Sequence, residues 1–159
     1  MKKCIAILLA MFVLSTAACA SAPKPAPSTE VTGTLEELMA QIYAGVSEEL
    51  PVVDNREITD ENSQYYLGID LSQVQEALAS EAMISSIAHS VCLLRAKEDT
   101  DIEALKTSIK ENVDPNKWVC VGVAQDHVIV DNIGNLIILI MDDFAPEQLH
   151  DAFLALATK

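Results

Sequence analysis

His127-Val128-Ile129-Val130 and Leu136-Ile137-Ile138-Leu139-Ile140-Met141, joined by Asp131-Asn132-Ile133-Gly134-Asn135, decide the fold class of this chain. Both flanks are β-prone, and Asn and Gly between them suit a tight reversal. A C-terminal β-hairpin is therefore predicted. Beyond it, Pro146 stands at a first helical position, and Leu149, Ala152, Phe153 and Leu156 form one apolar stripe that packs a last helix on the sheet.

On the N-terminal side, Trp118-Val119-Cys120-Val121-Gly122-Val123 is apolar and β-branched, a strand or a helical turn leading into one. Thr100-Asp101-Ile102-Glu103 caps a helix that carries Ile102, Leu105, Ile109 and Val113 on one side and Lys106 and Lys110 outward, until Pro115 closes it. Ser90-Val91-Cys92-Leu93-Leu94 lacks polar alternation and reads as a central strand. Ser72-Gln73-Val74-Gln75 has the form of a capping box and predicts a helix through Ala79. A helical turn is expected between Thr59 and Gly68. Thr34-Leu35-Glu36-Glu37 opens a longer helix, whose apolar residues Leu35, Leu38, Met39, Ile42, Tyr43, Val46 and Leu50 recur at helical spacing until Pro51. The expected fold is α+β: a small, mainly antiparallel sheet of about three strands, ending in the hairpin and covered by helices.

The chain has 159 residues, which fits one domain with appendages. Acidic residues outnumber basic ones 24 to 10 for a net charge of −14, and loss of a leader holding Lys2, Lys3 and no acid makes it −16. So acidic a surface repels phosphate backbones, which excludes nucleic acid as a partner.

Met1-Lys2-Lys3, the apolar run over 5–14 and the small residues Ser15 to Ala22 are the three regions of a signal peptide. The apolar run is well short of the roughly 20 residues that cross a bilayer. The small residues before Cys19 resemble a bacterial lipobox, in which the cysteine is diacylated and becomes the new N-terminus. Thr16 stands where that pattern usually has Leu, and Ala18-Cys19-Ala20 also serves ordinary cleavage, which leaves secretion as the alternative. Pro23, Pro25 and Pro27 then favour an extended spacer. The expected organisation is a signal peptide over 1–18, a lipid-anchored linker over 19–33 and a single α+β domain over 34–159. Cys19 is the lipidation site and the membrane, met at its outer face, the first partner.

Candidate site residues are few. His89, Asp131, Asn132 and Asn135 are the binding candidates, and Asp142 and Asp143 end the second strand of the hairpin. Asp and Asn in a turn usually serve backbone hydrogen bonds, and a histidine entering a strand is usually bonded where the sheet begins. Cys92 and Cys120 are the only thiols of the domain, a possible extracytoplasmic disulfide, although both lie in apolar runs that suit buried free cysteine. His89, His127 and His150 stand in no ligand spacing, so no metal, cofactor or catalytic residue is assigned. Trp118, the lone Trp, reads as core.

Leu35-Glu36-Glu37-Leu38-Met39, Glu81-Ala82-Met83-Ile84-Ser85-Ser86-Ile87-Ala88-His89-Ser90-Val91, Asn112-Val113-Asp114-Pro115-Asn116-Lys117-Trp118 and Asp131-Asn132-Ile133-Gly134-Asn135-Leu136 together resemble the domain of unknown function 4358 family, over most of the domain and in the family's order. The resemblance implies an exported or lipid-anchored protein of a Gram-positive anaerobe. It implies no activity and carries no functional residue over.

The expected function is that of a non-enzymatic binding or interaction module at the cell envelope, for another envelope protein or a small ligand. The alternative is a small extracytoplasmic hydrolase or cation-dependent enzyme. A concave pocket holding two or more of His89, Asp131, Asp142 and Asp143 would favour the enzyme, and a broad apolar patch a protein partner.

Overall fold

In the computed structural model, which describes residues 30–158, the predicted hairpin is present as β4 (Val128–Ile133) and β5 (Leu136–Asp142). Ile133 pairs with Leu136, so the reversal consists of Gly134 and Asn135, with Gly134 at φ +59°. A positive φ at the first central position is what a II′ turn requires, and glycine adopts it without steric cost. The expected signal peptide, Cys19 and all of the spacer before residue 30 lie outside the described residues.

The other elements are α1 (Leu35–Ala44), β1 (Val53–Glu57), α2 (Ser63–Leu67), β2 (Val74–Ala82), β3 (His89–Ala96), α3 (Ile102–Asn112) and α4 (Pro146–Leu154). The strands form one open antiparallel sheet in the order β1-β2-β3-β5-β4. The α+β class and the antiparallel sheet agree with expectation. The sheet has five strands rather than about three.

Alternation along β3 and β5 divides the core in two. Val91, Leu93, Ile138 and Ile140 pack against Leu38, Met39 and Ile42 of α1 and Leu149 and Phe153 of α4. Cys92, Leu94, Ile137 and Leu139 face the other way, against Tyr66 and Leu67 of α2 and Leu105 and Ile109 of α3. Every residue of β5 is buried, as a strand covered on both faces must be. At roughly 1.5–3 kcal/mol for each large apolar side chain buried, these two layers are the main source of stability.

Three expectations are corrected. The segment from Ser72 through Ala79 is not a helix; from Val74 it is strand β2. Ser72 N–H is taken by Asp70 Oδ1 at 2.8 Å, and Ala77, Leu78 and Ala79 pair with Leu94, Leu93 and Cys92 of β3. Pairing on both sides overrides the helix preference of Glu, Ala and Leu. The stretch from Trp118 to Val123 is irregular, with Cys120 at φ +62° and Val123 N–H donating to Pro115 O at 2.9 Å. The first helix ends at Ala44 rather than near Leu50, because Ser47 gives both its backbone N–H and its hydroxyl to Gln148 Oε1, each at 2.9 Å.

Three of the predicted helix starts are present, while the one at Ser72 is not. Thr34 and Glu37 make both bonds of the capping box, Asp101 caps α3, and Pro146 is within the first turn of α4. Gly68 ends α2 in the left-handed conformation, and a Cβ there would collide with the carbonyl of Asn112, so only glycine lets α2 approach the end of α3.

Candidate functional site

The first residue of β3 and the last of β5, His89 and Asp142, pair across the sheet on the face covered by α1. His89 Nδ1 is 2.7 Å from Asp142 Oδ1, and His89 Nε2 is 2.7 Å from the Tyr43 hydroxyl of α1. Both the His89 and the Asp142 side chains are 0 % exposed. Asp142 Oδ2 accepts from Phe144 N–H at 3.0 Å and Ala145 N–H at 2.6 Å. With acceptor roles filling the carboxylate, Nδ1 carries the hydrogen toward Asp142 and Nε2 accepts from Tyr43. Burial, reinforced by the Asp142 charge, pushes the Tyr43 hydroxyl far above its ordinary range, so it stays a donor. Ser80, on the same face, is fully buried, and its Oγ makes no hydrogen bond of good geometry among the described residues.

Tyr, His, Asp and a nearby Ser are the groups of a nucleophilic site, but a nucleophile must meet its substrate. Here the imidazole and the carboxylate are sealed, and both imidazole nitrogens are engaged. The cluster fastens α1, β3, β5 and the start of α4 to one another.

Ser90, one residue along, points to the opposite face beside Glu81, its cross-strand partner on β2. There Lys117 inserts its ammonium group, 3.1 Å from Glu81 Oε1 and 3.2 Å from Ser90 Oγ. The ammonium is also 4.4 Å from the Tyr65 ring centre, 4.7 Å from that of Tyr66 and 5.1 Å from that of Trp118. The Lys117 side chain is only 3 % exposed. Three ring faces and a carboxylate offset the desolvation of this cation. Tyr65 donates to Glu81 Oε1 at 3.2 Å, and burial together with the Glu81 charge pushes its hydroxyl up to about 12. Trp118 is core, as expected, but its buried indole N–H has no acceptor among the described residues.

Outside this cluster lies a cavity of about 200 Å³, lined by Asp54, Arg56, Tyr65, Glu81, Met83 and Trp118 among others. Met83 of this lining is 68 % exposed, and Val52, Ile84 and Val119, its neighbours in the chain or through the backbone, are exposed apolar side chains as well, 75, 59 and 64 % exposed. Two backbone bonds join Val52 and Val119 to lining residues, Met83 N–H to Val52 O at 3.0 Å and Val119 N–H to Ser85 O at 3.3 Å.

The remaining candidates are elsewhere. Asp131 faces His150 Nε2 at 2.8 Å and Lys106 Nζ at 3.6 Å, Asn132 Oδ1 accepts from Lys106 at 2.8 Å, and Asn135 donates to Ala96 O at 3.4 Å. Asp131 pairs with Ile138, four residues along β5 from Asp142, a separation of about 14 Å at the usual strand rise. Asp143 pairs instead with His127 at 2.7 Å. Of the carboxylates considered with His89, only Asp142 meets it, and that pair is closed off. Among the described residues no group of three His, Cys, Asp or Glu side chains could hold a metal. Cys92 is buried and Cys120 exposed, both free thiols.

Sequence reading missed Lys117, Glu81, Tyr65 and Tyr66. The signal that could have drawn attention was a lysine beside the lone Trp in an apolar stretch, with two adjacent tyrosines upstream. Comparison with protein-family models, curated proteins and solved structures gives no match to this chain.

Proposed function

We propose that this chain is an exported protein, anchored through Cys19 at the outer face of the cytoplasmic membrane, whose domain is a non-enzymatic binding module. The observation that carries the binding role is the group of exposed apolar side chains Val52, Met83, Ile84 and Val119, of which Met83 lines the Trp118 cavity and Val52 and Val119 are joined to its lining residues Met83 and Ser85 by backbone hydrogen bonds. Exposed apolar side chains gathered beside a polar cavity are costly to leave in water and are characteristic of surfaces that meet partners. The sealing of His89 and Asp142 supports the same reading, since a hydrolase needs an accessible base. The leader, the proline-rich spacer and the resemblance to the domain of unknown function 4358 family support the extracytoplasmic address.

A photoreactive phenylalanine analogue at Val119 tests the surface in cells making the full chain. The expected result is a discrete adduct that disappears when Met83 and Ile84 are both changed to Asp and that is absent with the analogue at exposed Lys110. Adducts equal at Val119 and Lys110, or none at Val119, contradict the assigned surface.

A further inference from the structure

We infer that the β1 edge of the sheet is a contact surface for a second copy of this chain. The two β1 strands pair antiparallel about a two-fold axis at Asn55, which sets Asp54 of each copy against Arg56 of the other. The inference concerns the sheet edge and does not depend on the binding-module reading.

The two edges of the sheet differ. On β4, Asp131 is held by Lys106 of α3 and His150 of α4. On β1, four residues of five are exposed, and β2 is its neighbour on one side. Met83 N–H donates to Val52 O and Ile58 N–H to Ala77 O, both in the β1–β2 register. In an antiparallel ladder such bonded pairs alternate, so Val52, Asp54, Arg56 and Ile58 turn their backbone groups toward β2. Val53, Asn55 and Glu57 turn theirs outward. Glu57 O is taken by Asn62 Nδ2 at 3.1 Å. The N–H and C=O of Val53 and Asn55 and the N–H of Glu57 meet no partner among the described residues. A row of this kind is a template for another strand unless proline, a bulge or charge blunts it. β1 contains no proline, and the register shift of this sheet lies between β2 and β3.

Charge selects the occupant. Outward residues must meet outward residues, so an antiparallel copy of β1 has few registers open to it. Pairing Val53 with Asn55 sets Asp54 against Asp54, and pairing Asn55 with Glu57 sets Arg56 against Arg56. Both oppose like charges at the closest cross-strand positions. Registers centred on Val53 or on Glu57 shorten the overlap. Pairing Asn55 with Asn55 of the second copy sets Asp54 against Arg56 on both sides of the axis, at non-hydrogen-bonded positions where Cα atoms are about 4.5 Å apart. The Arg56–Asp54 contact within each strand, at 3.2 Å, persists, so every charge has an opposite one beside it and another across. Asn55 N–H then donates to Asn55 O of the second copy, and Glu57 N–H to its Val53 O. The net charge of −14 opposes association, but beyond about 8 Å it is screened at physiological salt. A strand pair of this length is smaller than the roughly 1,600 Å² of a standard interface, so the association is weak and is best read by crosslinking.

A photoreactive phenylalanine analogue is placed at Asn55 in cells making the full chain. The expected result is an adduct of twice the chain mass, absent with the analogue at exposed Lys110. Asp54→Arg alone and Arg56→Asp alone each bring like charges together and should lower that adduct about tenfold. Both positions are exposed, so each variant should keep the native circular dichroism spectrum. Made together in one cell, the two variants again oppose unlike charges at every pair, and the adduct should return. Absence of an adduct of twice the chain mass overturns the inference, and so does an adduct to a different protein in its place. An adduct that the single changes leave unaltered, or that the mixture of the two does not recover, overturns it as well.

Discussion

Asp142 bridges two parts of the fold: one carboxylate oxygen lies 2.7 Å from His89 Nδ1, and the other accepts the N–H groups of Phe144 and Ala145 at the start of α4. Its three bonds are all of the acceptor kind. Asp142→Asn therefore turns part of an acceptor into a donor facing donors, and should cost about 2–4 kcal/mol. Tyr43→Phe removes one donor and leaves His89 Nε2 unpaired, for about 1–2 kcal/mol. Urea unfolding should rank Asp142→Asn below Tyr43→Phe and both below the native chain. Equal midpoints for all three would show that the cluster has no structural role.

Lys117 and Glu81 should couple strongly. Lys117→Met leaves the Glu81 carboxylate, whose side chain is only 15 % exposed, without its cation and should cost about 2–4 kcal/mol. Adding Glu81→Gln should recover a part of that loss, giving a double-mutant coupling of about 1–3 kcal/mol. A coupling near zero would mean that the ammonium is held by the rings alone.

How much of this was legible beforehand differs by element. The hairpin, the capped starts of α1 and α3, the proline at the start of α4 and the central β3 all follow from local signals in the sequence: turn residues, caps and apolar periodicity. The edge strand β1, Val-Asp-Asn-Arg-Glu, has four exposed residues of five and no apolar pattern to betray it. β2 is written in helix-forming residues and is a strand because β1 and β3 pair with it. The site was the least legible part. Lys117 is separated from Tyr65 and Glu81 by long stretches of chain, and no local spacing signals their meeting.

The thiols give a prediction at the two extremes of exposure. Burial, partly offset by Lys117, pushes the Cys92 thiol up to about 11, whereas Cys120 is exposed. In a chain carrying Cys4→Ser and Cys19→Ser, iodoacetamide at neutral pH should modify Cys120 quickly and Cys92 only after unfolding. Rapid modification of both, or a native mass two hydrogens lighter, would contradict this arrangement. Cys120 also adopts φ +62°, so Cys120→Gly should keep or raise stability, while Cys120→Val should lower it by about 1–2 kcal/mol.

Acid sensitivity should trace in part to Asp131. Partial burial pushes its carboxyl up, but the His150 hydrogen bond, the Asn132 N–H and the Lys106 charge together hold it below the ordinary carboxylate value. A folded pKa below the unfolded one gives stability that is complete above the ordinary carboxylate range and is lost as pH falls through the folded value. His150→Gln should therefore make the acid-dependent loss smaller and complete it at a higher pH, and Asp131→Asn should flatten that portion of the curve. Urea midpoints measured from neutral to acid pH check both. Identical acid limbs in the native chain and in Asp131→Asn would contradict the assignment.

The proposed address of the module rests on lipidation of Cys19. Intact mass and membrane partition of the native chain and of Cys19→Ser, each expressed in full in a Gram-positive host, test this most directly. The account predicts a membrane-bound species that begins at Cys19 with diacylglycerol attached, and loss of both in the variant. A soluble native species cut after another small residue, without lipid, would contradict the anchor and make this a secreted protein.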